Sequence, residues 1–178
     1  KKEPKTKNLV YMGSFMPYKN VELLINGMED LPEYRLTLCS KVDPKRREQL
    51  LASSSQEVRS RIVFVNGMSE ANYSEILDDS FALVTASKDE GFGIPVIEAM
   101  SRSIPVVLSD IPIFREVASA AGRFFNPDSP SVFALAIKSL EEIGSWQKAS
   151  KTSLERAKAF SWDDSAGKLN LLIQGLRD

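Results

Sequence analysis

A chain of 178 residues, of which 43% are hydrophobic and 26% are charged, is long enough to bury one large core. Its formal net charge of -1, from 23 basic and 24 acidic residues, argues against nucleic acid or an acidic membrane as a partner. The chain has no histidine and one cysteine, Cys39, so an internal disulfide, a multi-cysteine metal site and a histidine-dependent catalytic triad are excluded.

Strand-like and helix-like segments alternate along the sequence from Asn8 onwards. Apolar runs predict strands at 8–13, 34–40, 61–67, 81–87, 104–110 and 122–126. Helical spacing and capping residues predict helices at 20–30, 43–60, 69–80, 93–102 and 111–120, with two or three more from Pro130 on. Because no apolar run approaches the roughly 18 residues of a membrane span, we expect a cytoplasmic protein without a transmembrane segment.

This alternation predicts an α/β fold: a doubly wound, mostly parallel, six-stranded Rossmann-like sheet with helices on both faces and a helical C-terminal tail. Residues 8–178 are expected to form one domain, and residues 1–7 are interpreted as the end of a linker. Ligands of such sheets bind beyond the carboxyl ends of the strands, where the strand order switches. For the common order 3-2-1-4-5-6, the segments at that crevice are 12–19 and 87–93.

Gly91, Phe92 and Gly93 join the fourth predicted strand to a helix. Glycines let the backbone approach a ligand closely, and free N–H groups at a helix start attract phosphate; the alternative is an ordinary turn. The first strand is not followed by G-x-G-x-x-G, and the chain contains no G-x-x-x-x-G-K-[ST]. A nicotinamide-dependent dehydrogenase and a P-loop NTPase are therefore disfavoured.

Two charged residues near the crevice admit more than one interpretation. Glu98 lies in the apolar run PVIEAM, which predicts a buried carboxylate. It could pair with Arg102 one helical turn later, or it could accept hydrogen bonds from sugar hydroxyls. Lys19, beside the predicted helix cap Asn20, could be an ordinary exposed lysine, or its ammonium could neutralise a diphosphate leaving group. Its position opposite the glycine turn favours the second interpretation.

Together these residues resemble the C-terminal half of a retaining glycosyltransferase of family 4, which has the two-domain GT-B fold. The resemblance covers nearly the whole chain, and its most specific element is the E-x7-E pattern formed by Glu90 and Glu98. The other motifs that carry it are GSFMPYKNVELLI, IPVVLSDIPIFREV and the terminal FSW. In that family this half binds the nucleotide-sugar donor without a metal ion, and the N-terminal half carries the acceptor site.

The resemblance implies a role for each matched residue. Glu90, as the catalytic residue, would hydrogen-bond hydroxyls of the donor sugar; Glu98 would bind the ribose hydroxyls, and Lys19 would contact the diphosphate. The other implied donor-binding positions are Gly13 and Ser14 after the first strand, the phosphate-binding backbone of Phe92, Gly93 and Ile94, and Ser40, Gly67 and Met68 near the base. No cofactor or metal is expected besides the nucleoside-diphosphate sugar.

Two positions depart from the family pattern. Ser14 stands where many members have an arginine, so compensation of the diphosphate charge rests on Lys19 unless Lys88 or Arg115 helps. Ser103 stands where a glycine is usual, which leaves the turn before Pro105 less well defined.

The expected partners are a nucleotide-sugar donor and an N-terminal domain, which this sequence lacks. The complete enzyme would transfer a hexose-type sugar, whereas this part alone should bind donor without turnover. The last predicted helix carries an apolar stripe that could mediate self-association: Ala166, Leu169, Leu172, Ile173 and Leu176. Two alternatives stay open, a non-catalytic nucleotide-binding domain and the C-terminal half of a nucleotide-sugar epimerase.

Overall fold

Six parallel strands form one sheet in the computed structural model, which describes residues 1–175. The strands are β1 (Asn8–Met12), β2 (Arg35–Cys39), β3 (Ile62–Val65), β4 (Ala82–Thr85), β5 (Val106–Ser109) and β6 (Gly122–Phe125). Their spatial order is β3-β2-β1-β4-β5-β6, and Val10 of β1 lies opposite Leu83 of β4. The predicted doubly wound, Rossmann-like topology is confirmed, with β1 and β4 side by side at the centre.

Helices cover both faces of this sheet. They are α1 (Val21–Gly27), α2 (Pro44–Leu51), α3 (Gln56–Ser60), α4 (Glu70–Asp78), α5 (Ile94–Ser101), α6 (Pro112–Ala118), α7 (Pro130–Lys138), α8 (Ser145–Ala157) and α9 (Trp162–Gly175). The prediction of one continuous helix over 43–60 was wrong. Ser54 donates its hydroxyl to the Leu51 carbonyl at 2.7 Å, and Ser55 caps a new helix by accepting from the Val58 N–H. Such side-chain bonds compete with helical continuation.

Two apolar clusters lie on opposite faces of the sheet. Side chains alternate along β1, so Leu9 and Tyr11 belong to the cluster beneath α1 and α7, whereas Val10 belongs to the cluster beneath α4, α5 and α6. Cys39 is fully buried in the second cluster, and burial raises the pKa of its thiol to about 11. This agrees with its interpretation as a small buried hydrophobe rather than a nucleophile.

The C-terminal helix α9 has no buried residue. Leu169, Leu172 and Ile173 are all exposed, and Leu176, the last member of the predicted stripe, lies outside the described residues. Self-association through this helix stays a prediction. Among residues 1–175, no helix combines the length and the apolar character that crossing a membrane requires.

Residues 1–7 form no helix or strand, yet they lie along the domain. The Lys7 ammonium pairs with the carboxylates of Glu33 and Glu141, and the Thr6 hydroxyl donates to the Asp79 carbonyl at 3.2 Å. Their interpretation as the end of a linker stays a prediction.

Candidate functional site

The carboxyl ends of β1 and β4 open into a crevice where the two predicted segments meet. After β1, the chain passes Gly13 and Ser14, and the Tyr11 hydroxyl donates to the Ser14 carbonyl at 2.6 Å. A short 3-10 turn then carries Lys19 to the crevice. The backbone N–H of Lys88, after β4, donates to the Tyr18 carbonyl at 2.8 Å. This hydrogen bond holds the two loops against each other.

Lys19 and Glu90 form an ion pair across the crevice. The Lys19 ammonium lies 2.5 Å from Oε1 of Glu90, and the two side chains are only 14% and 16% exposed. The Ser87 hydroxyl donates to the same Glu90 oxygen at 3.0 Å, and Thr85 lies 3.1 Å from Ser87. A fixed carboxylate and a fixed ammonium therefore stand together at the switch in strand order.

Sequence reasoning missed Thr85 and Ser87, which hold Glu90 in place. The available signal was their spacing: two hydroxyl residues two positions apart at the end of a strand point to the same side of an extended chain. They also stand directly before the acidic turn. Nothing in the sequence, however, indicates that Lys19 and Glu90 would pair with each other.

Lys88 and Arg115, the two possible replacements for an arginine at position 14, are engaged elsewhere. Lys88 pairs with Asp128 at 2.8 Å. Arg115 makes two hydrogen bonds to Asp110, at 2.6 and 2.7 Å, and this contact lowers the pKa of the Asp110 carboxyl. Of these three paired cations, Lys19 is the one whose partner, Glu90, lies across the crevice.

Gly93 allows the chain to turn sharply into α5. Its φ of +88° lies in the left-handed region, and a Cβ at this position would come within 2.9 Å of the buried Phe114 ring. Helix α5 begins at Ile94, so the backbone N–H groups around Phe92, Gly93 and Ile94 lie at a helix start, where intrahelical partners are lacking. These groups could bind phosphate oxygens.

Replacing Gly93 with alanine is expected to lower the free energy of unfolding by about 2 to 3 kcal/mol, because the left-handed backbone and the Phe114 contact both penalise a Cβ. Gly91→Ala is the matched control, since a Cβ there would meet nothing within 4 Å; its effect should stay below about 0.5 kcal/mol. Urea-induced unfolding measures both changes. Equal effects of the two substitutions would show that position 93 has no special conformational requirement.

Glu98 differs from the expectation that it is buried, and the alternative of a pair with Arg102 is not formed. Its side chain is exposed rather than buried, so Glu90 is the more buried member of the E-x7-E pair. Arg102 does not pair with it but extends to α4, where it contacts Asp78 at 2.7 Å and the Ser74 hydroxyl at 2.7 Å. The carboxylate of Glu98 is therefore available to a ligand.

The loops after β2 and β3 lie beside each other and contain the positions implied for base binding. The side-chain carbonyl of Asn66 accepts from the Val42 N–H at 3.1 Å, which joins the loop of Ser40 to that of Gly67 and Met68. A cavity of about 520 Å³ extends from Ser14 to Ser40. The structure thus places the implied base region next to the loop that follows β1.

A second cavity, of about 380 Å³, lies between α5 and the start of α9. Glu98 and Ile94 line one side and Trp162 lines the other. Phe92 packs edge-to-face on Phe160, with ring centroids 6.0 Å apart. In the part of the chain that the structure describes, no three acidic or cysteine side chains come together as a metal site.

Comparisons with known proteins agree on one family. The model of the family described as "Glycosyl transferases group 1" matches residues 1–159. The O-antigen chain mannosyltransferase RfbU of Salmonella typhimurium is 32% identical over 144 residues, which are 80% of this chain and 40% of that protein.

Solved structures show the same fold. Sucrose-phosphate synthase from Thermosynechococcus elongatus superposes with a TM-score of 0.86 at 24% identity, over 97% of this chain and 46% of that one. Anabaena Alr3699/HepE, solved in complex with UDP and glucose, gives a TM-score of 0.84 at 16% identity, over 95% of this chain and 48% of that one. The chain spans less than half the length of each of these three proteins. The match over residues 1–159 shows that the chain belongs to the group 1 glycosyl transferases.

Proposed function

We propose that this domain binds a nucleotide-sugar donor and forms the donor half of a retaining glycosyltransferase. The observation that carries the proposal is the Lys19–Glu90 pair, which faces a glycine turn at the switch in strand order. A diphosphate needs cationic and N–H partners, and a sugar needs fixed acceptors for its hydroxyls. One crevice offers all three, and family membership makes sugar transfer the reaction to which they belong.

The donor would lie across the carboxyl ends of the strands. Lys19 contacts the diphosphate, and the backbone around Gly93 receives phosphate oxygens at the start of α5. Glu98 accepts hydrogen bonds from the ribose hydroxyls. The base lies over the loops of Ser40 and Gly67. The sugar extends to Glu90, and the name of the relative RfbU favours mannose as that sugar.

Binding the donor replaces the ion pair by two new contacts. The Lys19 ammonium turns from Glu90 to the diphosphate. Glu90 then accepts hydrogen bonds from hydroxyls of the sugar, while the Ser87 hydroxyl keeps the Glu90 carboxylate in place. When the bond between sugar and diphosphate breaks, Lys19 neutralises the charge of the leaving group. Glu90 stabilises the positive charge that develops on the sugar ring. An acceptor bound by an N-terminal domain would complete the reaction.

Calorimetric titration of this chain with UDP, GDP and ADP tests the proposal. We expect at least one diphosphate to bind with a Kd between micromolar and millimolar, or about -4 to -8 kcal/mol. The matching nucleosides serve as controls and should bind more weakly. The absence of heat with all three diphosphates at millimolar concentration would contradict donor binding.

The non-catalytic alternative makes a different prediction for the complete protein. A binding module would bind the same diphosphates without transferring sugar. Diphosphate release from nucleotide-linked mannose, measured with the complete protein and a glycan acceptor, distinguishes the two functions. A transferase releases diphosphate, and a binding module does not.

A further inference from the structure

Tyr73 is the fourth residue of α4 and is buried, with 8% of its surface exposed. It packs in the apolar cluster beneath α4 and α5. Its hydroxyl oxygen is inaccessible to solvent and has no hydrogen-bond partner of ordinary geometry among residues 1–175. Buried hydroxyls are usually paired because an unpaired one destabilises the fold, so this group calls for an explanation that packing alone does not give.

Tyr73 shares its apolar cluster with Val96, Ala99 and Met100 of α5, the helix that carries Glu98. Arg102, which follows α5, bonds to Ser74 and Asp78 of α4. Tyr73 directly precedes Ser74, and Glu98 lies one helical turn before Arg102. The phenol and the Glu98 carboxylate therefore lie at neighbouring levels of the two helices.

The electrostatics of Tyr73 agree with this placement. Burial raises the pKa of the phenol above its ordinary value of 10.0, and the negative charge of Glu98 raises this pKa further. The phenol therefore keeps its proton at neutral pH and can donate a hydrogen bond. Glu98, whose side chain is exposed, carries carboxylate oxygens that can accept it.

We propose that Tyr73 is a positioning residue for Glu98, and that its O–H donates to one carboxylate oxygen when the ribose of a nucleotide binds. The inference rests on the proposed role of Glu98 in binding the ribose. A glutamate on an exposed helix face samples several rotamers. A hydrogen bond from the Tyr73 O–H restricts Glu98 to the rotamer that faces the crevice. Each carboxylate oxygen can accept more than one hydrogen bond, so the ribose diol and Tyr73 bind together.

Tyr73→Phe removes only the hydroxyl and tests the proposal directly. The measurement is the Kd of the best-binding diphosphate and of its 2′,3′-dideoxy analogue. We expect the substitution to weaken ribonucleotide binding by about three- to tenfold and to leave binding of the dideoxy analogue unchanged. In a Glu98→Gln background, Tyr73→Phe should have no further effect on affinity, because the group that it positions is gone.

Tyr34→Phe is the matched control. Tyr34 is also buried, and its hydroxyl donates to the carboxylate of Glu141 at 2.9 Å, remote from the crevice loops. This change should lower the melting temperature without altering the preference for ribose. If Tyr73→Phe weakens the binding of both nucleotides equally, or of neither, Tyr73 is a core residue and the inference is wrong. If no diphosphate binds the unmodified chain, the proposed function itself fails, and this inference fails with it.

Discussion

Replacing Lys19 with methionine is expected to weaken nucleoside diphosphate binding tenfold or more. A charge-assisted contact to phosphate contributes about 1.5 to 3 kcal/mol, and Ser14 supplies no second charge after β1. Methionine preserves most of the apolar stem, so the change mainly removes the ammonium. Titrations with the diphosphate and with its nucleoside should show the loss for the diphosphate alone.

Lys88→Met is the matched control for this experiment. Lys88 lies in the neighbouring loop but pairs with Asp128, and its side chain is 53% exposed, so diphosphate affinity should change by less than about twofold. If Lys88→Met caused the larger loss, or if Lys19→Met left the affinity unchanged, the diphosphate charge would be neutralised by other groups and the role given to Lys19 would be wrong.

Replacing Glu90 with glutamine is expected to lower the affinity contributed by the sugar without lowering the affinity contributed by the diphosphate. The bare diphosphate should bind with unchanged or slightly higher affinity, because losing the carboxylate releases Lys19 from its ion pair. The additional affinity contributed by an attached sugar should fall. In the complete enzyme, turnover should fall by about a hundredfold or more, because a preorganised charge at the reacting centre matters most in the transition state.

Glu98→Gln provides the comparison for Glu90→Gln. It should lower the affinity for the diphosphate and for the nucleotide sugar by the same factor, since both carry the ribose. A loss of bare diphosphate affinity in Glu90→Gln equal to that in Glu98→Gln would show that Glu90 serves the nucleotide rather than the sugar. Calorimetry on the chain and initial rates of the complete enzyme measure the two parts of the prediction.

The strand order and the location of the crevice were predictable because they follow from periodicity and general topological rules. Alternating strands and helices predict a parallel sheet, and the switch point then selects the loops of Lys19 and Glu90. Ser103 was recognised as a departure from glycine, and the structure gives it a φ of +61°. A left-handed backbone at that turn explains why glycine is usual there.

The partners of the charged residues could not be predicted, because they are set by packing between distant elements. Arg102 stands at the i+4 position from Glu98, which made their pairing one of two interpretations. Helix α4 instead brings Asp78 and Ser74 within reach of Arg102. The same packing leaves Glu98 exposed. Patterns within one helix carry no information about a neighbouring helix 20 or more positions away.

The pairing of β4 with β1 also determines how late in folding the crevice can form. Lys19 and Glu90 are 71 positions apart in the chain, so their contact requires closure of a long loop, and contacts of high sequence separation slow folding. Local helices and the β1–β2 contacts can form before this pairing, but a diphosphate site cannot. A ligand that binds only the finished crevice therefore stabilises the chain after this long-range pairing has formed. At a concentration of 100 Kd it would shift the folding equilibrium by about 2.7 kcal/mol.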